Sequence, residues 1–160
     1  MTVYLSLGSN TGDRLRNLRQ AVTLICAHFP EAHPKESDII ETEPWGYASA
    51  SHFLNMCISL TFPRESPQTA PERLLKAFRS IERAISPATH RNPDGTYRDR
   101  AIDIDIIAID DRRINLPTLQ IPHPRASARE FVMIPLTQIA PQALLQKIFP
   151  EKFGKTEKTC

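Results

Sequence analysis

The segment 100–109 constrains the fold of this chain more than any other stretch of the sequence. Isoleucines alternate there with Asp103 and Asp105, and β-branched residues repeating with a period of two predict a β-strand. Because successive side chains of a strand point to opposite faces, both carboxylates leave the same face of the sheet. The same alternation puts Ile107 and Ile109 on that face, so we expect the charged part to occupy only one end of the strand.

Asp103 and Asp105 form a candidate metal site. Two carboxylates this close repel each other when both are ionised, and a cation beside them relieves the repulsion. A ligand set made only of oxygen suits Mg²⁺, which commonly takes one or two carboxylates and completes its shell with water and substrate phosphates. The alternative is a pair of solvated aspartates on an edge strand, and a short Asp-x-Asp motif alone leaves it open.

The size and composition of the chain predict one globular domain at residues 1–150 and a charged tail at residues 151–160. No apolar run approaches the roughly 20 residues of a membrane helix, and we expect no secretory leader because the first residues already follow a strand pattern. Cys26, Cys57 and Cys160 form neither a metal signature nor a disulfide framework, which indicates a reducing cytoplasm. The net charge of +2 argues against nucleic-acid binding.

The distribution of the basic residues indicates phosphate handling. Nine arginines and no lysine lie from Arg79 to Arg129. The planar guanidinium group grips phosphate through two parallel hydrogen bonds, whereas the ammonium group of lysine acts as a point charge. A basic surface that is merely solvated usually mixes the two residue types.

A second candidate site lies on a predicted strand at residues 52–62. Phe53 and Asn55 share one face of this strand, opposite the apolar Leu54 and Met56. An aromatic ring beside an amide can stack on and hydrogen-bond a flat heterocycle. The alternative is that Phe53 belongs to the core and that Asn55 is a satisfied edge residue.

Two further motifs leave their roles open. The turn Gly8-Ser-Asn10 joins the first strand, residues 3–7, to a helix whose apolar residues recur from Leu15 to Ile25, and it is either an anion-binding turn or a plain tight turn. His123 stands between Pro122 and Pro124, which hold it in a non-helical backbone. A histidine there can be a phosphate ligand, a base or a structural residue.

The order of the predicted elements is strand, helix, strand, strand, helix, strand. The remaining segments are a second strand at 36–43, a capping box at 69–72 that starts the second helix, a polar loop at 86–98, an extended stretch at 116–121 and a helix at 126–136. The βαββαβ order is typical of a ferredoxin-like α+β sandwich with an antiparallel sheet, here followed by a C-terminal appendage. We expect helices on one face of the sheet, and the other face free to bind ligands.

Five blocks of the sequence point together to one family. They are Gly8-Ser-Asn10, Thr42-Glu-Pro-Trp-Gly46, Phe53-Leu-Asn55, Arg100-Ala-Ile-Asp103-Ile-Asp105, and Pro122-His123-Pro-Arg followed by Arg129-Glu-Phe131. In this order the blocks resemble the 6-hydroxymethyl-7,8-dihydropterin pyrophosphokinase family. The resemblance implies the ferredoxin-like fold and the transfer of pyrophosphate from ATP to a reduced pterin in folate biosynthesis, with release of AMP.

The resemblance also implies roles for the matching residues. Asp103 and Asp105 correspond to ligands of two Mg²⁺ ions that bridge the triphosphate. The implied pterin-binding residues are Thr42, Trp45, Phe53, Asn55, Tyr97 and Phe131. The implied ATP-binding residues are Glu82, Arg100, Ile106, His123 and Arg129. The candidate catalytic residues are the two aspartates with Arg91, Arg98 and Arg100.

Two other classes of protein share parts of this pattern. A nucleotidyltransferase of the polymerase-palm type also combines βαββαβ topology with carboxylates on strands, but it needs a basic track for a polynucleotide, against which the weak net charge argues. In a non-catalytic ferredoxin-like module the paired aspartates have no evident purpose. The sequence therefore favours a monomeric enzyme that binds ATP and a pterin, and neither nucleic acid nor membrane.

Overall fold

The computed structural model describes residues 1–44, 51–86, 93–94 and 99–154. Its elements, in chain order, are β1 (Thr2–Ser9), α1 (Arg14–His28), β2 (His33–Glu36), β3 (Ile40–Thr42), β4 (Phe53–Thr61), α2 (Pro71–Ile85), β5 (Asp103–Ile109), β6 (Ile114–Leu116), β7 (Leu119–Ile121), α3 (Glu130–Ile139), α4 (Gln142–Ile148) and α5 (Pro150–Phe153). Trp45, Arg91, Tyr97 and Arg98 lie outside the described residues, so the roles given to them stay predictions.

The main sheet is antiparallel and has the strand order β2–β4–β1–β5, with β3 also paired to β4. This order confirms the predicted ferredoxin-like α+β fold. The strand predicted at 36–43 is wrong in its bounds, because two strands stand there: β2 begins before it, at His33, and ends at Glu36, and β3 covers only Ile40–Thr42. Between them, the Ser37 hydroxyl accepts a hydrogen bond of 2.8 Å from the amide of Cys57. A side chain there takes the place of a backbone acceptor, which interrupts the strand.

Helices cover one face of the sheet and about half of the other face. One face packs on α1 and α2 through a core that includes Val3, Leu5, Leu7, Met56, Ile58, Leu60, Ile104 and Ile106. The other face packs on α3 and α4 through Tyr4, Cys57, Ile107, Ala108, Val132, Leu136 and Leu145. The prediction that this second face is free is therefore wrong for one half of it, where the C-terminal helices bury it. The half that carries the two aspartates stays open.

A β-bulge in β5 separates the polar half of this strand from its apolar half. Tyr4 pairs with Ala108 but Leu5 pairs with Ile106, so that Ile107 is an extra residue on β5. One extra residue reverses the alternation of the side chains. Ile107 lies on the face of the aspartates, as predicted, but Ile109 packs into the core beneath α1 and α2, which makes its predicted orientation wrong.

The start of α2 also differs from the prediction. The capping box lies at Ser66 and Thr69, where it closes a 3₁₀ turn, and not at residues 69–72. Helix α2 then begins at Pro71 without a side-chain cap. Proline fits this first position because its missing amide has no helical partner there.

The C-terminal region contains more regular structure than the sequence pattern indicates. The stretch predicted as extended at 116–121 belongs to the hairpin β6–β7. The helix predicted at 126–136 is a 3₁₀ turn followed by α3, because Arg129 between them has an extended backbone (φ −107°, ψ 101°). The predicted tail begins inside α5, whose Phe153 packs against the core beneath α3 and α4. Within the described ranges, no helix has the length and apolar character needed to cross a membrane.

Candidate active site

The site begins with one row of residues across the sheet. Gly8 on the central strand β1 pairs with Asn55 of β4 on one side and with Asp103 of β5 on the other. Since neighbouring strands lie about 4.8 Å apart, the backbones of Asn55 and Asp103 are separated by about 10 Å. Gly8 contributes no side chain to the space between them, so the row forms a depression in the sheet.

This depression is the floor of a narrow cleft. Its lining joins polar and aromatic side chains that the sequence placed in separate motifs: Ser6, Gly8, Thr42, Glu43, Phe53, Asn55, Arg100, Asp103, Asp105, Arg129 and Phe131. Phe53 comes from β4, whereas Phe131 comes from the first turn of α3. The cleft has the mixed polar and aromatic lining of a small-molecule site.

Asn55 is held in one orientation at the bottom of this cleft. Its Nδ2 donates a hydrogen bond of 2.6 Å to the Thr42 hydroxyl, and only 2% of the residue is exposed. A Cβ atom at position 8 would lie 3.0 Å from Oδ1 of Asn55 and 3.3 Å from the Phe53 ring. The close packing of these two side chains over the backbone therefore favours glycine at position 8.

A second and larger cleft, of about 630 Å³, lies next to the first. Glu82 of α2, Ile106 of β5 and His123 line it, together with the β6–β7 hairpin. Asp103 and Asp105 line both clefts. The paired carboxylates thus stand where the two clefts meet.

Two arginines flank the carboxylates. Nη1 of Arg100 lies 2.6 Å from Oδ2 of Asp103, and Nη1 of Arg129 lies 4.0 Å from Oδ2 of Asp105. The Arg129 guanidinium also lies 5.6 Å from the centre of the Phe131 ring, within the range of a cation–π contact. Both arginines line the smaller cleft beside its junction with the larger one, where they can reach an anion that spans the two.

The acidic groups at the junction resist ionisation. Burial, and next the nearby Asp103 carboxylate, raise the pKa of Asp105 to about 7, although Arg129 and Arg100 act in the opposite direction. Burial and the same neighbour raise the pKa of Glu82 to about 8. Such crowding of carboxylates is what a bound cation relieves.

The donor set fits Mg²⁺. In the part of the chain that the structure describes, no cluster of three or more His, Cys, Asp or Glu side chains is arranged around a metal position. The described residues therefore do not form a site of the kind typical of structural zinc, in which all ligands come from the protein. Two carboxylates at the mouth of a large cleft suit an ion that keeps water and phosphate oxygens in its shell.

His123 faces the larger cleft in its neutral form. Burial, and then the charges of Arg129 and Arg125, lower the pKa of His123 to about 4. Its Nδ1 accepts a hydrogen bond of 3.2 Å from the amide of Arg125. In the neutral ring Nε2 therefore carries the proton, which makes this atom a hydrogen-bond donor.

The structure adds residues to the site that the sequence analysis did not assign to it. Ser6 and Gly8 lie opposite Asp105 and Asp103, and the alternation of β1 was enough to place them on one face. Their assignment to the site needed the pairing of β1 with β5, which no local pattern shows. The wall formed by the β6–β7 hairpin, residues 115–120, was missed because that stretch was read as a single extended segment.

Comparison with known proteins gives one consistent result. The family model for 7,8-dihydro-6-hydroxymethylpterin-pyrophosphokinase (HPPK) matches residues 4–141. The 2-amino-4-hydroxy-6-hydroxymethyldihydropteridine pyrophosphokinase of Porphyromonas gingivalis is 37% identical over 140 residues, which cover 87% of this chain and 90% of that protein. The proteins of the same name from Bacillus subtilis and Aquifex aeolicus are 36% and 32% identical, over 87% and 89% of this chain and 78% and 82% of their own lengths.

Proposed function

The chain belongs to the 7,8-dihydro-6-hydroxymethylpterin-pyrophosphokinase family, and we propose that it transfers pyrophosphate from ATP to 6-hydroxymethyl-7,8-dihydropterin. In this step of folate biosynthesis the hydroxymethyl oxygen attacks the β-phosphorus of ATP, the bond to the α-phosphate breaks, and AMP leaves. The family match confirms the resemblance drawn from the sequence blocks and displaces the polymerase-palm alternative. The observation that carries the proposal is the meeting of two clefts at Asp103 and Asp105.

The smaller cleft suits the pterin. Phe53 and Phe131 offer aromatic faces to a flat bicyclic ring. Asn55, which Thr42 holds in place, offers an amide to the polar edge of the ring. Trp45 and Tyr97 belong to the same proposal on the basis of the sequence resemblance.

The larger cleft suits ATP. It has room for a nucleotide, and Glu82, Ile106 and His123 line it. The Nε2–H group of His123 can donate a hydrogen bond to a phosphate or ribose oxygen. The triphosphate then extends toward the junction, where Arg100 and Arg129 stand beside the carboxylates.

Asp103 and Asp105 are the proposed Mg²⁺ ligands, for two ions. When bound, Mg²⁺ neutralises charge on the phosphate oxygens and orients them for in-line displacement. The protein supplies little covalent chemistry in such a reaction, so positioning by the two clefts provides most of the acceleration. Arg100, with Arg91 and Arg98 from the sequence resemblance, stabilises the charge that develops on the departing AMP.

Two further points complete the proposal. We propose a monomer as the active form, as the sequence predicted. Cys57 is a buried thiol and Cys26 a partly buried one, and neither is in a disulfide. A reducing cytoplasm is compatible with both.

The test is to follow AMP by chromatography after mixing the purified protein with ATP, Mg²⁺ and 6-hydroxymethyl-7,8-dihydropterin. AMP should form in a one-to-one ratio with the pterin diphosphate. The 6-methyl analogue, which has no hydroxyl nucleophile, should bind without AMP release. ADP in place of AMP, or AMP formed at the same rate without any pterin, would contradict the proposal.

A further inference from the structure

Asn10, directly after β1, connects two segments that reach the site from different parts of the chain. Its Nδ2 donates to Oδ1 of Asp99 at 2.8 Å and to the carbonyl of Ser51 at 3.3 Å. Its Oδ1 accepts from the amide of Arg100 at 2.7 Å, and its own amide donates to the carbonyl of Arg100 at 3.0 Å. The residue is only 3% exposed.

These bonds fix the backbone from which the Arg100 side chain extends. Asn10 holds the peptide groups on both sides of Arg100, once through its side chain and once through its backbone. The Arg100 guanidinium then meets Asp103 at 2.6 Å, although its side chain is long and has many rotamers. A fixed backbone reduces the number of arrangements that the guanidinium can adopt.

The same side chain also reaches the pterin side of the site. Ser51 lies two residues before Phe53, the first residue of β4 and part of the lining of the smaller cleft. Through these hydrogen bonds, Asn10 connects the residues just before β4, the strand that carries Phe53 and Asn55, to the segment that carries Arg100.

Only asparagine meets these requirements at this distance. The position needs one acceptor for the Arg100 amide and two donors for Asp99 and Ser51, which an amide side chain supplies. Aspartate keeps the acceptor but loses both donors and faces the Asp99 carboxylate. Alanine leaves the buried partners without their hydrogen bonds.

We propose that Asn10 is a positioning residue for the transfer step, which sets the relative placement of Arg100 and the pterin-binding strand without touching either substrate. This inference rests on the proposed function. A misplacement of about 1 Å at a reacting centre can cost about 100-fold in rate, so the effect should appear in kcat more than in KM.

The experiment compares four variants with the wild type in the AMP assay, after the wild type has been shown to turn over. Asn10→Ala and Asn10→Asp should each lower kcat by about 10- to 100-fold, with KM for ATP changed by less than about threefold. Asn10→Asp combined with Asp99→Asn should recover much of the loss, because the hydrogen bond between positions 10 and 99 is restored with donor and acceptor exchanged. Asn17→Ala is the matched control.

Asn17 supports the same β1–α1 turn through bonds to Ser9 and Thr11 but has no bond to Ser51, Asp99 or Arg100 in the structure. Its variant should keep kcat near the wild-type value. Equal losses in the Asn17 and Asn10 variants would mean that the turn matters only for folding, and would overturn the inference. So would a kcat of Asn10→Ala within about threefold of the wild type.

A crystal structure of Asn10→Ala separates this inference from the proposed function, because it does not depend on activity. The distance between Arg100 and Asp103 should lengthen, or the guanidinium should occupy more than one position. An unchanged ion pair would overturn the inference even if the enzyme activity is as proposed. Absence of AMP formation by the wild type would instead contradict the proposed function.

Discussion

Oε1 of Glu82 accepts a hydrogen bond of 2.6 Å from the backbone amide of Ile104, the residue between Asp103 and Asp105. The bond joins the buried face of α2 to the part of β5 that carries the paired carboxylates. Glu82 is only 8% exposed, so its carboxyl group adds to the crowding of acidic groups at this point. The helix thereby fixes the aspartates in place and also makes the metal-free site unfavourable for negative charge.

The stability of the metal-free protein should fall as the pH rises from about 6.5 to 8. The pKa values of Asp105 and Glu82 rise from 3.8 and 4.5 to about 7 and about 8 in the folded protein. Protonation of these two groups stabilises the folded protein. This contribution is complete below their pKa values in the unfolded chain and is lost as the pH rises through their pKa values in the folded protein. The pKa of His123 is lowered to about 4, so its contribution to stability is present above about pH 6.5 and is lost as the pH falls. His123 therefore opposes the effect of the two carboxyl groups only below about pH 6.5.

Urea unfolding at a series of pH values measures this trend. Glu82→Gln should flatten the decline, whereas Glu72→Gln, on an exposed part of the same helix, should not. A stability that stays level between pH 6.5 and 8 in the wild type would show that these carboxyls are already ionised in the folded protein.

Magnesium should stabilise the protein more at pH 8 than at pH 6. The ion binds ionised carboxylates, and the pKa of Asp105, raised to about 7, leaves this group largely protonated at the lower pH. Thermal unfolding with and without Mg²⁺ at the two pH values measures the difference. Asp105→Asn should remove it, and an unchanged Mg²⁺ effect in this variant would place the ion elsewhere.

Asp105→Ala should abolish turnover but leave pterin binding measurable. The substitution removes a proposed metal ligand, whereas the aromatic and amide groups of the smaller cleft remain. Steady-state AMP release and pterin titration by fluorescence test the two parts separately. If activity stays within about tenfold of the wild type, a loss below about 1.4 kcal/mol, the proposed metal role of Asp105 is wrong.

Phe131→Ala should weaken pterin binding roughly tenfold, because one stacking face is lost, at a cost of about 1.4 kcal/mol. Ile134→Ala provides the control, since Ile134 lies on the same helix and is 46% exposed. Calorimetric titration of both variants with the pterin is the measurement. A similar affinity in the two variants would show that Phe131 does not contact the ring.

Gly8→Ala should weaken pterin binding and lower the free energy of unfolding by about 1–3 kcal/mol, the usual cost of an extra methyl group in a packed site. The new Cβ would lie 3.0 Å from Oδ1 of Asn55 and 3.3 Å from the Phe53 ring, so both side chains must move. Chemical denaturation and pterin titration measure the two effects. Unchanged pterin affinity would mean that these side chains do not set the shape of the ring site.

Local patterns predicted correctly which of these side chains share a face of the sheet. The alternation in β5 and β4 placed Asp103 with Asp105, and Phe53 with Asn55, on common faces, as the structure has them. Predictions failed where a long-range contact decided the outcome. Ser37 divides the second strand by bonding to Cys57, and the extra residue Ile107 can be recognised only from the pairing of β5 with β1.

The sequence by itself determined the fold class, the common face of the acidic pair and, through its motifs, the family, because each of these depends on residues that are near one another in the chain. Only the tertiary structure decided that Gly8 separates Asn55 from Asp103, that α3 brings Phe131 to the same cleft, and that Asn10 joins Ser51 to Arg100. Strand register and helix docking result from contacts between segments that are distant in the chain. A local sequence pattern does not reveal the free energy of those contacts.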